Sequence, residues 1–150
     1  MPATFDGEDV ARLRIALARI GRVLDRQSRG DTLTRTQTSV LATVARLGPV
    51  RLSELAEIEG VNPTMLSRIV GKLEDTGLLR RRPDPGDGRV ALVEVTEDGV
   101  AEHARLRAER TQFLTARLTA MPEALAAELL ASLPALESLA GQPTAGTENP

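Results

Sequence analysis

The residues of this chain that could do covalent chemistry are few. Cysteine is absent and His103 is the single imidazole, which excludes disulfides, thiolate metal sites, a cysteine nucleophile and thiol-based oxidation sensing within these 150 residues. Zinc needs three or four protein ligands, and one histidine beside Glu102 on a helix has the pattern of a surface residue, so no metal is expected. A serine nucleophile needs a neighbouring base, and none stands near the Ser and Thr residues. No GxGxxG or GxxxxGK[ST] phosphate loop occurs. Neither an enzyme nor a cofactor is expected. What remains is ionic chemistry. The stretch RRRPDPGDGR, Arg80 to Arg89, sets four guanidinium groups in a chain whose formal net charge is -2, and guanidinium groups bind phosphate and carboxylate through paired hydrogen bonds.

The charge is sorted by region. Residues 62–89 carry six basic against four acidic side chains, whereas residues 90–150 carry four against nine. A local cationic surface is therefore hidden by the near-neutral total. Arginine outnumbers lysine by 18 to one.

Those arginines must be held by helices and a hairpin. At 150 residues with 41% hydrophobic content, the chain falls in the range of a single domain, expected over 1–150. Aromatic residues are limited to Phe5 and Phe113, so Leu, Val, Ile and Ala must build the core, which favours helix on helix. No run of about 18 apolar residues is present, and the start MPATFDGEDV is acidic and lacks an apolar signal core; no membrane partner and a cytoplasmic location are expected.

From Val10, the residues Leu13, Leu17, Ile20 and Leu24 recur at steps of three and four, a narrow seam along one helix, with arginines 12, 14, 19, 22, 26 and 29 spread around the rest. Thr34 with Gln37 makes a capping box ahead of Val40, Leu41, Val44 and Leu47, and Gly48-Pro49 stops that helix. Ser53 is expected to cap a short helix ending at Gly60. Asn62 is a good N-cap and Pro63 a good first helical residue, giving a helix to about Thr76. This is a helix-turn-helix, and its second helix has two sides. Leu66, Ile69, Val70 and Leu73 make a buried stripe; Thr64, Ser67, Arg68, Gly71, Lys72 and Asp75 make a face of short polar groups with two cations, which suits close approach to base edges and phosphates.

Arg80 to Arg82 and Arg89 to Val95 read as the strands of a hairpin around the loop 83–88, with the arginines facing phosphates and Asp87 placed to orient Arg89. Arg89 beside Gly88 could enter a minor groove. The plainer alternative is a polar turn with solvated arginines. Thr96, Glu97 and Asp98 open a helix to about Ala120, bearing Val100, Ala104, Thr111, Leu114, Leu118 and Met121 on one side; Pro122 opens a last helix with Leu125, Leu129, Leu133 and Leu136, in which Pro134 is expected to cause a kink or break. Residues 141–150 are expected to be a disordered tail. Unpaired, the terminal helices would leave a large apolar surface in water, so a second copy of the chain is expected to cover them.

The stretch from Leu33-Thr34 through LSELA and VNPTMLSRIVGKLEDTGLLRRRPDPGDGRVALVEVTEDG resembles the MarR family of bacterial transcriptional regulators, the DPGDGR wing tip followed by a hydrophobic strand, Thr and Gly being its characteristic pattern. The resemblance implies a mainly α fold with a small β-hairpin wing: a winged helix-turn-helix lobe over about 33–99 with dimerisation helices over about 8–30 and 97–140. It implies a homodimer binding a pseudo-palindromic operator in double-stranded DNA, a repressor released by a small aromatic or amphipathic ligand. Asn62, Pro63, Thr64, Ser67, Arg68 and Lys72 would lie on the major-groove helix, Arg81, Asp87 and Arg89 on the wing, and Arg35 and Ser53 at the starts of the two preceding helices, which suit phosphate. Leu17, Thr43, Arg46 and Phe113 would line an effector cavity, core packing being the alternative role for Leu17 and Phe113. The alternative is a winged-helix module that holds a protein partner without operator binding.

Overall fold

Local sequence sets the ends of the central helices. In the computed structural model, which describes residues 5–27 and 33–141, helix α2 (Arg35–Leu47) starts on the capping box. The Thr34 hydroxyl accepts from the Gln37 N–H at 3.3 Å, and the Gln37 side chain accepts from the Thr34 N–H at 2.8 Å. Gly48 at φ 75° ends it. Helix α4 (Pro63–Asp75) begins at Asn62, whose Oδ1 accepts from the Met65 N–H at 2.8 Å. Between them, α3 (Leu52–Glu59) stops at Gly60, which is left-handed at φ 64°, a conformation glycine adopts without steric cost.

The remaining elements are α1 (Gly7–Gln27), a two-residue strand β1 (Val50–Arg51), β2 (Leu79–Pro83), β3 (Ala91–Val95), α5 (Glu97–Thr119), α6 (Glu123–Ala131) and α7 (Leu133–Leu139). The chain divides into two compact units, Met1–Ala108 and Glu109–Pro150, with the division inside α5. Arg29, the end of the expected helix 8–30 and the tail from residue 142 lie outside the described residues.

In the first unit, α2, α3 and α4 pack around Val40, Leu41, Val44, Leu55, Leu66, Val70 and Leu73, closed by Leu79 and Val93 from the sheet and Leu106 from α5. Burying each such side chain contributes about 1.5–3 kcal/mol. The stripe Leu66, Ile69, Val70 and Leu73 is buried as its spacing requires. Together with the sheet behind them, α3 and α4 make a winged helix-turn-helix.

Three local expectations need correction. The sheet is not a bare hairpin: β1 joins β3 antiparallel, Val50 opposite Val93, giving the order β1-β3-β2. Ser53 does not cap α3. The chain leaves β1 directly into the helix, so Arg51, held in extended backbone by the strand, takes the cap position without a side-chain bond, and Ser53 falls exposed inside the first turn. The strand beyond the wing loop starts at Ala91, so Arg89 belongs to the loop.

In the second unit the expected break appears two residues before Pro134, at Ser132 between α6 and α7. Proline has no N–H for the Leu130 carbonyl, and the Ser132 hydroxyl instead closes α6 on the Glu128 carbonyl at 2.8 Å.

The entry of α5 is unusually tight. A Cβ on Gly99 would lie 2.1 Å from the Leu78 carbonyl oxygen and 2.7 Å from Val95 Cγ2. The Thr96 N–H donates to that same carbonyl at 3.1 Å, and the Thr96 hydroxyl donates to the Gly77 carbonyl while accepting from the Gly99 N–H at 3.0 Å.

Candidate nucleic-acid interface

The exposed side of α4 carries Thr64, Ser67, Arg68, Lys72 and Asp75, with Gly71 half-buried among them. Asn62 and Pro63 are exposed at its start. Among the described residues neither Arg68 nor Lys72 forms an ion pair. Met65, 47% exposed in the first turn, belongs to the same surface. Sequence reasoning missed it because it falls outside both the buried stripe and the polar set; the signal was an apolar residue off the 66, 69, 70, 73 spacing.

The wing is a frame of ion pairs. Arg80 lies opposite Glu94 in the β2–β3 register. Its Nε donates to Glu94 Oε1 at 2.6 Å, and Arg82 Nε donates to Oε2 of the same carboxylate at 3.1 Å. Arg51 Nη2 donates to Asp84 Oδ2 at 3.0 Å, joining β1 to the loop. The Arg80 hydrogen bond holds the Glu94 carboxyl below its ordinary range, and the Gly86 N–H, with Arg51, does the same for Asp84. Arg81 reaches the recognition helix: its Nη2 donates to the Ser67 carbonyl at 2.9 Å and to Ser67 Oγ at 3.2 Å, while its Nη1 lies 3.3 Å from Glu74 Oε2. Arg80, Arg81 and Arg82, three arginines expected to face phosphates, are thus engaged by the protein itself, as is Arg51.

Arg89 differs. Among the described residues its guanidinium has no carboxylate partner. Asp87 does not orient that group; its Oδ1 accepts from the Arg89 backbone N–H at 3.1 Å. The loop is closed by backbone bonds, Val90 N–H to the Asp87 carbonyl and Asp84 N–H to the Val90 carbonyl, both at 2.9 Å. Asp87 therefore shapes the loop through a two-residue hydrogen bond, a common role for Asp in turns.

The other expected site residues scatter. Arg35 is the first residue of α2, with Nη1 3.3 Å from Asp25 Oδ2 of α1. Thr43 is buried, and its hydroxyl donates to Glu59 Oε1 at 2.6 Å, while Ser39 donates to Oε2 at 2.9 Å. That clamp holds α2 to α3. Arg46 and Leu17 are exposed on α2 and α1. Phe113 is half-buried on α5, with the Arg117 guanidinium 5.2 Å from its ring centre.

The MarR family model matches residues 33–91. A helix-turn-helix transcriptional regulator of Mycobacterium tuberculosis is 32% identical over 116 residues, spanning 77% of this chain and 81% of the relative. The chain belongs to the MarR family. The multiple antibiotic resistance protein MarR of Salmonella typhimurium is 35% identical over 92 residues, 59% of this chain and 64% of its own length. The fold agrees with solved structures: a Mycobacterium tuberculosis protein gives a TM-score of 0.78 at 23% identity over 96% of this chain and 100% of that one. The multiple antibiotic resistance repressor MarR gives 0.73 at 23% identity over 92% and 96%. This MarR-family chain is a DNA-binding regulator of transcription rather than an enzyme. Among the described residues no helix is long and apolar enough to cross a membrane.

Proposed function

We propose that this MarR-family chain acts in the cytoplasm as a homodimeric repressor that holds a pseudo-palindromic duplex operator and lets it go on binding a small aromatic or amphipathic compound. The observation that carries the reading is the division of cations. Among the described residues, Arg68, Lys72 and Arg89 are exposed and unpaired around a short polar face, whereas Arg51, Arg80, Arg81 and Arg82 are engaged by carboxylates. The free cations therefore stand on α4 and at the wing tip, the two elements that would meet a duplex.

In this reading α4 enters the major groove with Asn62, Thr64, Ser67 and Arg68 toward base edges, Met65 toward a thymine methyl and Lys72 toward phosphate. Arg89 reaches the minor groove from the wing. Arg35 and Ser53 lie in the first turns of α2 and α3, where backbone N–H groups favour phosphate. The lobe 33–99 serves binding and the helices 8–30 and 97–140 serve pairing, within a single functional domain. Support for pairing comes from exposed apolar seams: Val10, Leu13, Leu17 and Ile20 on α1, and Leu125, Leu129, Leu130 and Leu133 on α6 and α7. Two α4 helices about a two-fold would then reach major grooves about 34 Å apart. Repression accords with a relative, the repressor NicR of Pseudomonas putida, 34% identical over 89 residues. Release by an effector rests on the family resemblance, with Leu17, Thr43, Arg46 and Phe113 as the positions to substitute.

Selection of bound duplexes from a random pool, followed by sedimentation with and without the selected duplex, tests the reading. A palindromic consensus and a complex with two chains per duplex are expected. Failure to enrich any sequence, with affinity for an acidic protein surface instead, would favour an interaction module.

A further inference from the structure

We infer that Arg81 is a positioning residue for base selection: by donating to Ser67 Oγ it turns the Ser67 hydroxyl into a dedicated hydrogen-bond donor, so that Ser67 selects a base-edge acceptor in the major groove. The inference rests on the duplex-binding reading above and assigns to Arg81 a role other than phosphate contact.

A serine hydroxyl has one proton and two lone pairs, and in a helix it ordinarily returns the proton to the carbonyl four residues back. Several hydroxyls of this chain do so: Thr76 to Lys72, Thr115 to Thr111, Thr119 to Thr115 and Ser132 to Glu128. Ser67 does not. Its oxygen accepts from Arg81 Nη2 at 3.2 Å, and the same nitrogen holds the Ser67 carbonyl at 2.9 Å. The guanidinium is itself fixed, because Glu74 Oε2 lies 3.3 Å from Nη1 and Glu74 Oε1 accepts from the Arg81 backbone N–H at 2.9 Å.

Two consequences follow for an approaching base. One lone pair of Ser67 is occupied, which directs the proton away from the arginine and out along an exposed face of α4. The adjacent cation also repels the amino hydrogens of cytosine or adenine and attracts purine N7, guanine O6 or thymine O4. A free serine tolerates either kind of partner; a braced one, with a single lone pair left and a cation beside it, favours the acceptor. Glu74 and Arg81 thereby act on sequence choice without touching the bases.

The test begins with the duplex that the wild-type protein selects and measures affinity for every single-base variant with four proteins: wild type, Ser67→Ala, Arg81→Met and Arg89→Ala. Circular dichroism checks each fold, and Arg81→Lys gives a second brace variant should Arg81→Met misfold. Ser67→Ala should flatten the preference at one base pair of each half-site by about three- to tenfold, the range of a single hydrogen bond. Arg81→Met should flatten the same base pair, while Arg89→Ala lowers affinity and leaves the preference at that pair intact. Removing the acceptor at that pair, by 7-deazapurine for N7, 2-aminopurine for guanine O6 or a 4-deoxy pyrimidine for thymine O4, should for one of these analogues weaken wild type and leave Ser67→Ala unchanged. Loss of affinity in Arg81→Met that is equal for every base variant overturns the inference, as does the absence of any analogue whose effect is larger in wild type than in Ser67→Ala. Should wild type select no sequence at all, the duplex-binding reading itself fails and takes this one with it.

Discussion

Replacing Arg89 by alanine isolates one cation from the architecture that carries it. The loop 84–90 is closed by backbone bonds and by Asp87 Oδ1 on the residue 89 N–H, all of which alanine keeps. Folding should therefore be unaffected. Among the described residues the unpaired cations of α4 and the wing are Arg68, Lys72 and Arg89 on each chain, so a dimer brings about six cations into the phosphate field of the duplex, whether they end on a phosphate or in a groove, and log K should fall with log salt at a slope of about -5. Arg89→Ala removes two of these, which should flatten the slope by about 1.8. Fluorescence anisotropy of a labelled operator between about 50 and 200 mM salt reads the slope directly. Arg80→Ala is the control, because Arg80 is already held by Glu94 at 2.6 Å and should change the slope less. If Arg80→Ala flattens the slope as much as Arg89→Ala, the division between engaged and free arginines is wrong.

Other substitutions probe separate links. Arg68→Ala should relax base preference by about 1–3 kcal/mol at one position if it reads a guanine, measured against single-base operator variants. Gly99→Ala should destabilise the fold by at least about 2 kcal/mol in urea titration, since the atom it would strike is a backbone carbonyl that cannot move aside. Leu129→Asp on α6 should shift sedimentation toward monomer while helical circular dichroism is retained, and unchanged dimer mass would remove that seam from the interface. Acid should loosen the wing. The Glu94 and Asp84 carboxyls are depressed in the fold, so the unfolded chain protonates first; their contribution is full above the ordinary carboxylate range and is lost as pH falls through their lowered values. Thermal midpoints followed below pH 5 should fall less steeply in Glu94→Gln than in wild type, and this variant, with Arg80 and Arg82 released, should bind duplex with a steeper salt dependence.

The parts of this molecule written in short-range chemistry were legible from the residues alone. The Thr34–Gln37 box, the Asn62 cap with Pro63 and the spacing of Leu66, Ile69, Val70 and Leu73 each act within a few residues, and the structure realises each. What failed depends on partners far along the chain. Val50 and Arg51 are too few to show alternation, and their mate is β3, more than 40 residues on. Without β1, Ser53 is the better cap by local preference; with it, the helix has already begun. The arginine cluster showed its charge but not its neutralisers. A strand register closing on Pro83 and Ala91 sets Arg80 opposite Glu94, and placing the loop at 83–88 shifted that register and hid the pair. Glu59 and Glu74 act across elements that no periodicity connects.

Because Gly99 seats the backbone of α5 directly on the Leu78 carbonyl, the helix and the root of the wing meet without side-chain padding. Seated this closely, the first turn of α5 and the root of the strand that carries Arg81 form a single joint, which a side chain at position 99 would prise apart.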